Sequence, residues 1–520
     1  MSMRAIARPR APAYEVDVDG RQDIIVSTGD TATVVDDLLR SLKPKIGIYQ
    51  RGGMLVHVVE RAELGAEAYG EAGLVIRPLT AAGLREILER HFCFVRVNKD
   101  GIAKMCSVPK EVLAALLERH EWRGVPVLVG VSDVPVLRDD GTIAEGPGYD
   151  AESGMLLVGD DTYLDARANE LTYGQAIADL LEVVEDFPFR EPCDRSAWAA
   201  LVLTLVCRAA INGPVPLFLV ESNVRGSGKS RLVDAASIIA TGRPASRATQ
   251  PADEAEAGKL YTSILMGGDP LLLLDNVSGP LGGAKLDALL TGERWSDRAL
   301  GGNTMVDLPI RVVVCATSNN PTLVGDLVRR VLPIRLASDL ERPEDREDFR
   351  HHPLLPWVRE QRHRLVSAAL IIASGLWTES AKCLSWGSFE AWAAMVPRWL
   401  IALDLPNPMD ARVTLEDNDP TLRALEVVYA TWGDLETACG SASGISIGSA
   451  LAKLYQDRPD AAFDDLREAL EALAPGVGHV KVNSRALAHA FRKTKDRVIG
   501  GRRLRDLGKG HGGLVKWGVR

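Results

Sequence analysis

The sequence lacks the features that mark several large classes of protein. Its seven cysteines form no CxxC pair and no zinc-knuckle spacing, which argues against a disulfide framework or a structural zinc module and favours reduced thiols. No apolar run reaches the length of a membrane-spanning helix, and the basic first twelve residues have no apolar core of the kind that a secretory signal needs. We therefore expect a cytoplasmic protein, in a bacterium or a phage-infected host, with no membrane partner.

Acidic residues are scarce at the C-terminal end of the chain, where basic residues are concentrated. The chain carries a net charge of −9, yet residues 481–520 contain twelve Lys or Arg and only two Asp, a local charge of +10 that leaves −19 for the remainder. A basic tail on an acidic body predicts local contact with a polyanion, although a solvated terminal helix would also explain the pattern.

The central feature is a glycine-rich stretch between the apolar run 215–220 and a helical segment at 231–236. Strand, glycine-rich turn, Lys-Ser and helix are the parts of a P-loop, in which backbone N–H groups hold phosphates, Lys229 reaches the terminal phosphates and Ser230 helps to bind Mg²⁺. Asn223 stands where the first glycine is usual, and asparagine tolerates a left-handed backbone better than most residues. The predicted ATP-binding residues are Asn223, Arg225, Gly226, Ser227, Gly228, Lys229 and Ser230.

Further segments follow in a recognisable order. The apolar run 270–276 ends in Asp275, an acid placed to hold Mg²⁺ together with Ser230 at the carboxyl edge of a parallel sheet, as in a Walker B strand. A predicted hairpin at 295–308 and a second buried strand at 310–320, which ends in amide residues, come next. The pair Arg329 and Arg330 then leads into a strand at 331–336.

This order over residues 215–336 resembles the ATPase core of superfamily 3 helicases, a branch of the AAA+ proteins, and most of all the primase-helicase proteins of phages and integrative elements. The resemblance implies an α/β fold: a P-loop AAA+-like ATPase core with an α+β N-terminal domain, a helical region and a C-terminal winged-helix domain. It implies ATP and Mg²⁺ as cofactors, DNA as a partner, and a homo-oligomeric ring, expected to be a hexamer.

The resemblance also implies roles for individual residues. Asn319, or alternatively Asn320, would be sensor 1 and polarise the attacking water, beside the catalytic Lys229 and Asp275. Arg329 or Arg330 would reach the neighbouring subunit's site as an arginine finger. The hairpin tip would grip DNA in the central pore, through Arg298, Gly301, Gly302, Asn303 and Thr304.

One residue departs from the family pattern. Many members have a second acid after the Walker B aspartate, whereas Asn276 follows Asp275 here. Asparagine can orient water but cannot accept its proton, so the general base is unassigned; Glu221 is a possible substitute, and a slow ATPase is the other possibility.

The C-terminal region predicts a second nucleic-acid contact. Helices at 420–432, 447–455, 462–473 and 484–493 precede two strands, at 498–507 and 513–519, around a glycine-rich turn. Helices followed by a basic hairpin suggest a winged helix. Its predicted phosphate contacts are Arg485, Arg492, Lys493, Lys495, Arg502, Arg503 and Lys509.

The predicted domain boundaries follow from these segments. They are 1–165 for an N-terminal α+β domain that serves assembly or partner binding, 166–214 for a helical collar, 215–345 for the ATPase core, 346–420 for a helical region and 421–520 for the winged helix. We expect an ATP-dependent DNA helicase that replicates a phage or mobile element. The alternatives are a non-helicase AAA+ ATPase that remodels proteins or loads DNA, and a primase-helicase whose catalytic carboxylates would be Asp17 and Asp19.

Overall fold

The computed structural model describes most of the chain: residues 21–27, 29–42, 46–60, 73–98, 102–159, 163, 171–298, 305–319, 321–340, 342–346, 348–378, 384–412, 420–456, 458–476, 480–510 and 513–520. The chain divides into two compact units, Met1–Ala411 and Arg412–Arg520. Several predicted residues lie outside the described ranges: Asp17, Asp19, Gly301, Gly302, Asn303, Thr304 and Asn320.

The N-terminal part of the first unit mixes short strands with three described helices. Its elements are β1 (Gln22–Ile25), α1 (Thr31–Ser41), β2 (Tyr49–Arg51), β3 (Met54–Glu60), β4 (Leu74–Pro78), α2 (Ala81–His91), β5 (Phe92–Val97), β6 (Ala103–Met105), α3 (Lys110–Leu117), β7 (Gly130–Ser132), β8 (Val136–Leu137), β9 (Ile143–Ala144), β10 (Gly148–Asp150) and β11 (Met155–Leu157). The strands form small sheets in the orders β1-β5-β6, β2-β3-β4 and β10-β11-β7, with β8 paired to β9. Strands β2 and β3 pair antiparallel as a hairpin.

Two helices connect this part to the central sheet. They are α4 (Tyr173–Glu182) and α5 (Pro192–Val206). Thr172 and Gln175 form a capping box, which satisfies N–H groups that the first turn of α4 leaves free. Helix α5 is buried on nearly all sides, because its apolar residues face other elements around the whole circumference.

The centre of the first unit is an open, parallel sheet. Its elements are β12 (Leu217–Ser222), α6 (Lys229–Thr241), β13 (Ser246–Ala248), α7 (Glu254–Gly267), β14 (Leu271–Val277), α8 (Ala284–Thr291), β15 (Arg294–Arg298), β16 (Met305–Pro309), β17 (Val313–Ser318) and β18 (Val331–Leu336). Five of these strands run parallel in the order β13-β14-β17-β12-β18. The inner strands are buried on both faces, which is why they read in the sequence as continuous apolar runs.

The helices that follow β18 in the chain pack against the elements of the sheet. They are α9 (Leu354–Glu360), α10 (Arg362–Gly375), α11 (Glu390–Ala393) and α12 (Val396–Ala402). Trp386, Trp392 and Trp399 are buried among them and belong to the hydrophobic core. Among the described helices, none combines the length and the apolar character that crossing a membrane would require.

The second unit has its own hydrophobic core. Its elements are α13 (Pro420–Ala438), β19 (Ile445–Ser446), α14 (Ile447–Leu454), α15 (Asp464–Leu473), α16 (Ser484–Thr494), β20 (Val498–Ile499), β21 (Arg502–Lys509) and β22 (Val515–Val519). The strands pair in the order β19-β22-β21-β20. The predicted helices and the terminal hairpin are therefore present, and a short strand, β19, that the sequence reasoning missed extends the sheet.

A buried ionic cluster joins β12, β18 and α5. Arg335 on β18 donates from Nε to a Glu221 carboxylate oxygen at 2.9 Å, and its Nη1 lies 3.9 Å from Asp194. Burial raises the pKa of Asp194 to about 6, and Arg335 opposes that rise. The folded chain therefore holds a proton on Asp194 more tightly than an unfolded chain would.

This raised pKa predicts a pH-dependent stability. The stabilising contribution is fully present below about pH 4 and is lost as the pH rises through about 6, an upper limit of roughly 3 kcal/mol. The denaturation midpoint of the wild type, relative to that of Asp194→Asn, should therefore fall as the pH is raised across this window. Urea denaturation followed by tryptophan fluorescence measures the difference. The exposed substitution Glu118→Gln is the control, and a pH-independent difference for Asp194→Asn would contradict the expectation.

Candidate functional site

The site begins in the loop that joins β12 to α6. Gly226 and Gly228 adopt positive φ angles of 74° and 83°, and Gly228 caps the first turn of α6. A Cβ on Gly228 would also lie 2.9 Å from the ring of Phe187, so space as well as backbone conformation requires glycine there. The loop is thus folded tightly, and it brings Lys229 and Ser230 into the first turn of the helix.

Asn223 fits this loop for a reason different from the predicted one. It is not among the residues with a positive φ, so its tolerance of the left-handed region is not used. Instead its side-chain amide donates to the Ser338 carbonyl at 3.1 Å, and its side-chain oxygen accepts from the Ser338 N–H at 3.1 Å. The two bonds fasten the start of the loop to the chain that follows β18.

Lys229 faces the end of β17. Its Nζ donates to Oδ1 of Asn319 at 2.8 Å and lies 3.4 Å from Oγ of Ser227. Partial burial lowers the pKa of Lys229, and Asp275 opposes that shift. The ammonium group and the predicted sensor residue are therefore neighbours at one edge of the sheet.

Asp275 is the hub of the oxygen-rich part of the site. Its Oδ1 accepts from Ser230 Oγ at 2.7 Å and from Thr317 Oγ1 at 2.6 Å. The Thr317 hydroxyl in turn accepts from the backbone N–H of Asn276 at 2.7 Å. Hydroxyl and carboxylate oxygens are the donors that Mg²⁺ prefers, usually with water completing the shell, so Ser230 and Asp275 fit that cation.

Asn276 occupies an irregular point of β14. The pairing of β14 with β17 shifts between Leu274 and Val277, and Asn276 has a φ of 54°. Its exposed side chain lines an open cleft between the ends of β13 and β14, next to Asp275.

Arg247 is a site residue that the sequence reasoning missed. It lies on β13, forms an ion pair with Asp234 of α6, and its Nη1 lies 3.8 Å from Oδ2 of Asp275. Burial raises the pKa of Asp234, and Arg247 opposes this rise. The short strand Ser-Arg-Ala has no apolar run and matches no motif, so no sequence signal pointed to it.

Glu221 is not available as the general base that was considered for it. Its carboxylate accepts from Nε of Arg335, whose side chain is almost fully buried. The charge-assisted hydrogen bond to a buried guanidinium occupies this carboxylate and directs it towards Arg335. Among the described residues, β12 therefore supplies no free carboxylate that could act as general base beside Asp275.

The two candidates for the arginine finger, Arg329 and Arg330, lie far from the carboxyl edge of the sheet. Val331 at the start of β18 pairs with Leu217 at the start of β12, so Arg329 and Arg330 lie at the amino edge of the sheet. The six-residue strand separates the two edges by about 17 Å. Neither arginine reaches the Lys229 site of its own chain.

Arg329 and Arg330 also differ in their surroundings. The Arg329 side chain is 69% exposed and pairs with Asp326 at 2.9 Å. The Arg330 side chain is only 18% exposed and is held by Asp287 as well as by Asp326. Arg329 is therefore the arginine that is free to contact another molecule through most of its surface.

The predicted hairpin before β17 is present. Strands β15 and β16 pair antiparallel from Arg294 with Pro309 to Arg298 with Met305. The Arg298 side chain and the Met305 side chain are exposed where the described strands end.

The predicted DNA-contact residues of the second unit are exposed. Five of the predicted DNA contacts line its last helix and the hairpin: Arg492, Lys493, Arg502, Arg503 and Lys509. One differs from the rest, because the Arg502 guanidinium also donates to the carbonyls of Tyr429 and Ala430 at the middle of α13. Arg502 therefore helps to stabilise the second unit. Among the described bonds, none joins the side chains of the other four residues to α13.

Fold and site together define a mixed α/β protein with a central parallel sheet and a cluster of Lys, Ser, Asp and Asn side chains at its carboxyl edge. No protein-family model matches the sequence, and no curated protein matches it. Among solved structures the chain is similar to the A form apo structure of the NrS-1 C terminal region, at 9% identity and a TM-score of 0.35 over 89% of this chain and 95% of that one. A second A form apo structure of that region gives 12% identity and a TM-score of 0.38 over 94% and 99%. The X-ray structure of JCV Helicase gives 14% identity and a TM-score of 0.21 over 48% and 74%. Likeness this low identifies no family, and the function has to be inferred from the chain's own geometry.

The hydroxyl of Thr317 provides a test of the cluster. In Thr317→Val the shape is kept, but Asp275 loses a hydrogen-bond donor and the Asn276 N–H loses its acceptor. Removing such a support of a metal-binding carboxylate costs about 10–100-fold in metal affinity or activity. We expect the Mg²⁺ concentration that half-saturates the Ser230 and Asp275 cluster to rise accordingly. The control Thr241→Val removes a hydroxyl at the far end of α6, and an unchanged Mg²⁺ dependence in Thr317→Val would contradict the expectation.

Proposed function

We propose that the protein is an ATP-dependent DNA helicase, an oligomeric ring motor that serves replication of a phage or mobile element. The observation that carries the proposal is the convergence of Lys229, Ser230, Asp275 and Asn319 at the carboxyl edge of the sheet. Ligands of open parallel sheets bind at this edge, and the four side chains supply what a magnesium-bound nucleoside triphosphate requires.

The proposed division of labour follows the hydrogen bonds. Backbone N–H groups of the 223–228 loop would hold the phosphates, and Lys229 would leave Asn319 to reach the terminal ones. Ser230 and Asp275 would hold Mg²⁺, which when bound neutralises charge that develops on the phosphate oxygens. Asn319, once released from Lys229, would orient the attacking water.

The proposed chemistry does not depend on a strong carboxylate base. Phosphoryl transfer has a loose transition state, so positioning and charge stabilisation supply most of the acceleration. Asn276 lines the cleft beside Asp275 and can orient water, but it cannot take the proton. We infer that turnover is slow until further positive charge is supplied.

That charge is proposed to come from another copy of the chain. Arg329 is exposed at the edge opposite to the nucleotide site, so it can act only on a neighbour's nucleotide. A head-to-tail contact of this kind is heterologous, and heterologous contacts form a ring when the rotation between copies closes. A hexamer is the proposed ring size, and the N-terminal region is the proposed contact for a replication partner.

DNA is proposed to contact two surfaces. The β15–β16 hairpin would enter the central pore with Arg298 near its tip. The basic face of the second unit would bind phosphates through exposed side chains such as Arg492 and Lys493, which predicts salt-sensitive binding without sequence preference.

A forked-duplex assay with ATP and Mg²⁺ tests the proposal. A helicase should separate the strands, and the wild type should form a ring in negative-stain images with DNA and a non-hydrolysable nucleotide. ATPase activity without strand separation would favour a remodelling or DNA-loading ATPase instead. Primer synthesis on a single-stranded template, abolished by Asp17→Ala together with Asp19→Ala, would favour a primase-helicase.

A further inference from the structure

The first unit contains a cavity at the amino edge of the parallel sheet, remote from Lys229. Its volume is about 180 Å³, enough for on the order of ten water molecules. One wall comes from the N-terminal segments around β7 and β11, and the other from the ends of α5, α6 and α7 and the residues that precede β14 and β17. The cavity is therefore a seam between the N-terminal part and the sheet.

Arginine dominates the polar lining of this cavity. Its guanidinium groups belong to Arg51, Arg208, Arg243 and Arg311. The side chains of Arg51 and Arg208 are 4% and 7% exposed, so two of the four cations are buried almost completely.

The carboxylates of the cavity are already paired. Asp133 accepts from Arg362 at 2.9 Å, and Asp269 lies 3.6 Å from Arg243. Within the described part of the chain, no carboxylate forms an ion pair with Arg51 or Arg208. The lining thus carries excess positive charge.

A purely structural role explains some of the hydrogen bonds that Arg51 and Arg208 form. Their Nη groups donate to backbone carbonyls, at Leu128, Val129 and Leu265 for Arg51 and at Ile211, Gly213 and Ile310 for Arg208. One of these carbonyls, that of Leu265, lies in the last turn of α7, where a cation is favourable. The Nε of Arg51 and the Nε of Arg208, however, are buried without a hydrogen-bond partner. A buried N–H of a cation that lacks a partner is costly to leave unpaired.

The electrostatics point the same way. Burial lowers the pKa of Arg51 to about 10, and burial together with like-charge repulsion from Arg311 lowers the pKa of Arg208 to about 9. Bonds to neutral backbone carbonyls, without an ion pair to either guanidinium among the described residues, leave these two charges incompletely compensated. An anion in the cavity would relieve this repulsion.

We propose that the cavity binds a small organic oxyanion, a phosphate or a carboxylate with an apolar body. The oxyanion would face Arg51, Arg208 and Arg311, since guanidinium groups match the geometry of both anions. The apolar body would pack on the apolar part of the N-terminal wall, which includes Val131, Val134 and Met155. Binding would fasten the N-terminal part to the sheet, and it does not depend on the proposed hydrolysis.

Calorimetry on the full chain tests the proposal with two probes, phenyl phosphate and benzoate, which carry the same ring on the two candidate anions. At least one should bind, and the stronger one identifies the preferred head group. Arg208→Gln should weaken that binding by about 10–100-fold, the effect of losing a hydrogen bond to a charged group. Arg311→Gln should act in the same direction, and it is the variant to rely on if Arg208→Gln fails to fold, because only one described bond, to the Ile211 carbonyl, is lost.

Two controls separate this site from others. Lys229→Ala removes the ammonium group of the nucleotide site and should leave binding of the probes unchanged, and so should Arg123→Gln, at an arginine that is 89% exposed. Failure of both probes to bind would overturn the proposal. So would binding that is lost in Lys229→Ala, or binding that persists unchanged in Arg208→Gln and Arg311→Gln.

Discussion

Lys229→Ala is expected to reduce ATP turnover by at least about 100-fold, because the ammonium group is the cation closest to the predicted phosphate position and preorganised charge is commonly the largest catalytic contribution. The substitution removes the only described side chain that links the start of α6 to Asn319. Steady-state phosphate release measures the effect.

Lys259→Ala is the matched control, since it truncates a lysine that is 55% exposed on α7 and pairs only with Glu256. That variant should retain wild-type turnover. If Lys229→Ala still hydrolysed ATP at the wild-type rate, the carboxyl edge of the sheet would not be the nucleotide site.

Arg329→Ala is expected to lower turnover by about 1000-fold while nucleotide binding stays intact, as for an arginine finger supplied by a neighbour. The distance of Arg329 from its own chain's site is the physical reason: the side chain can stabilise the transition state only across an interface. Binding of a fluorescent ATP analogue and phosphate release, measured together, separate the two effects.

Mixing the two inactive variants gives a sharper result. An interface is complete when its pocket comes from the Arg329→Ala copy and its finger from the Lys229→Ala copy. Equal mixing should therefore restore about a quarter of wild-type turnover, because copies assemble at random. No recovery on mixing, with both variants still assembled, would contradict a shared pocket.

Two comparison variants test whether the proposed arginine finger is Arg329 alone. Arg330 is largely covered and held by Asp287, so Arg330→Ala should affect folding of the segment more than catalysis. Arg123→Ala, at an exposed arginine in the N-terminal part, should leave turnover unchanged. Loss of turnover in Arg330→Ala alone would transfer the finger to that residue.

Local patterns were enough to predict the elements that carry the candidate site. The apolar runs before Asn223, Asp275 and Asn319 are long and bounded, and each is a strand of the central sheet. Glycines at the loop and Lys-Ser at the start of α6 have a local signature, because their backbone conformation is a property of a few consecutive residues.

What the sequence did not predict depends on distant pairs. Asn223 is held by Ser338, 115 positions away, and Asp275 is supported by Thr317, 42 positions away. Arg247 belongs to a strand too short and too polar to be recognised. Such contacts are set by the order of strands in the sheet, which no single segment encodes.

The backbone conformation of Asn276 bears on why this position carries an asparagine and not a second acid. With a φ of 54°, that position lies where asparagine is several times more common than an average side chain and where a longer residue is strained by about 1–2 kcal/mol. A glutamate introduced there would have to adopt this strained conformation, or shift the local backbone out of it, before its carboxylate could serve the cleft. The asparagine is thus matched to the bend of its own backbone, and introducing a proton acceptor at this position involves the conformation of the main chain as well as the choice of side chain.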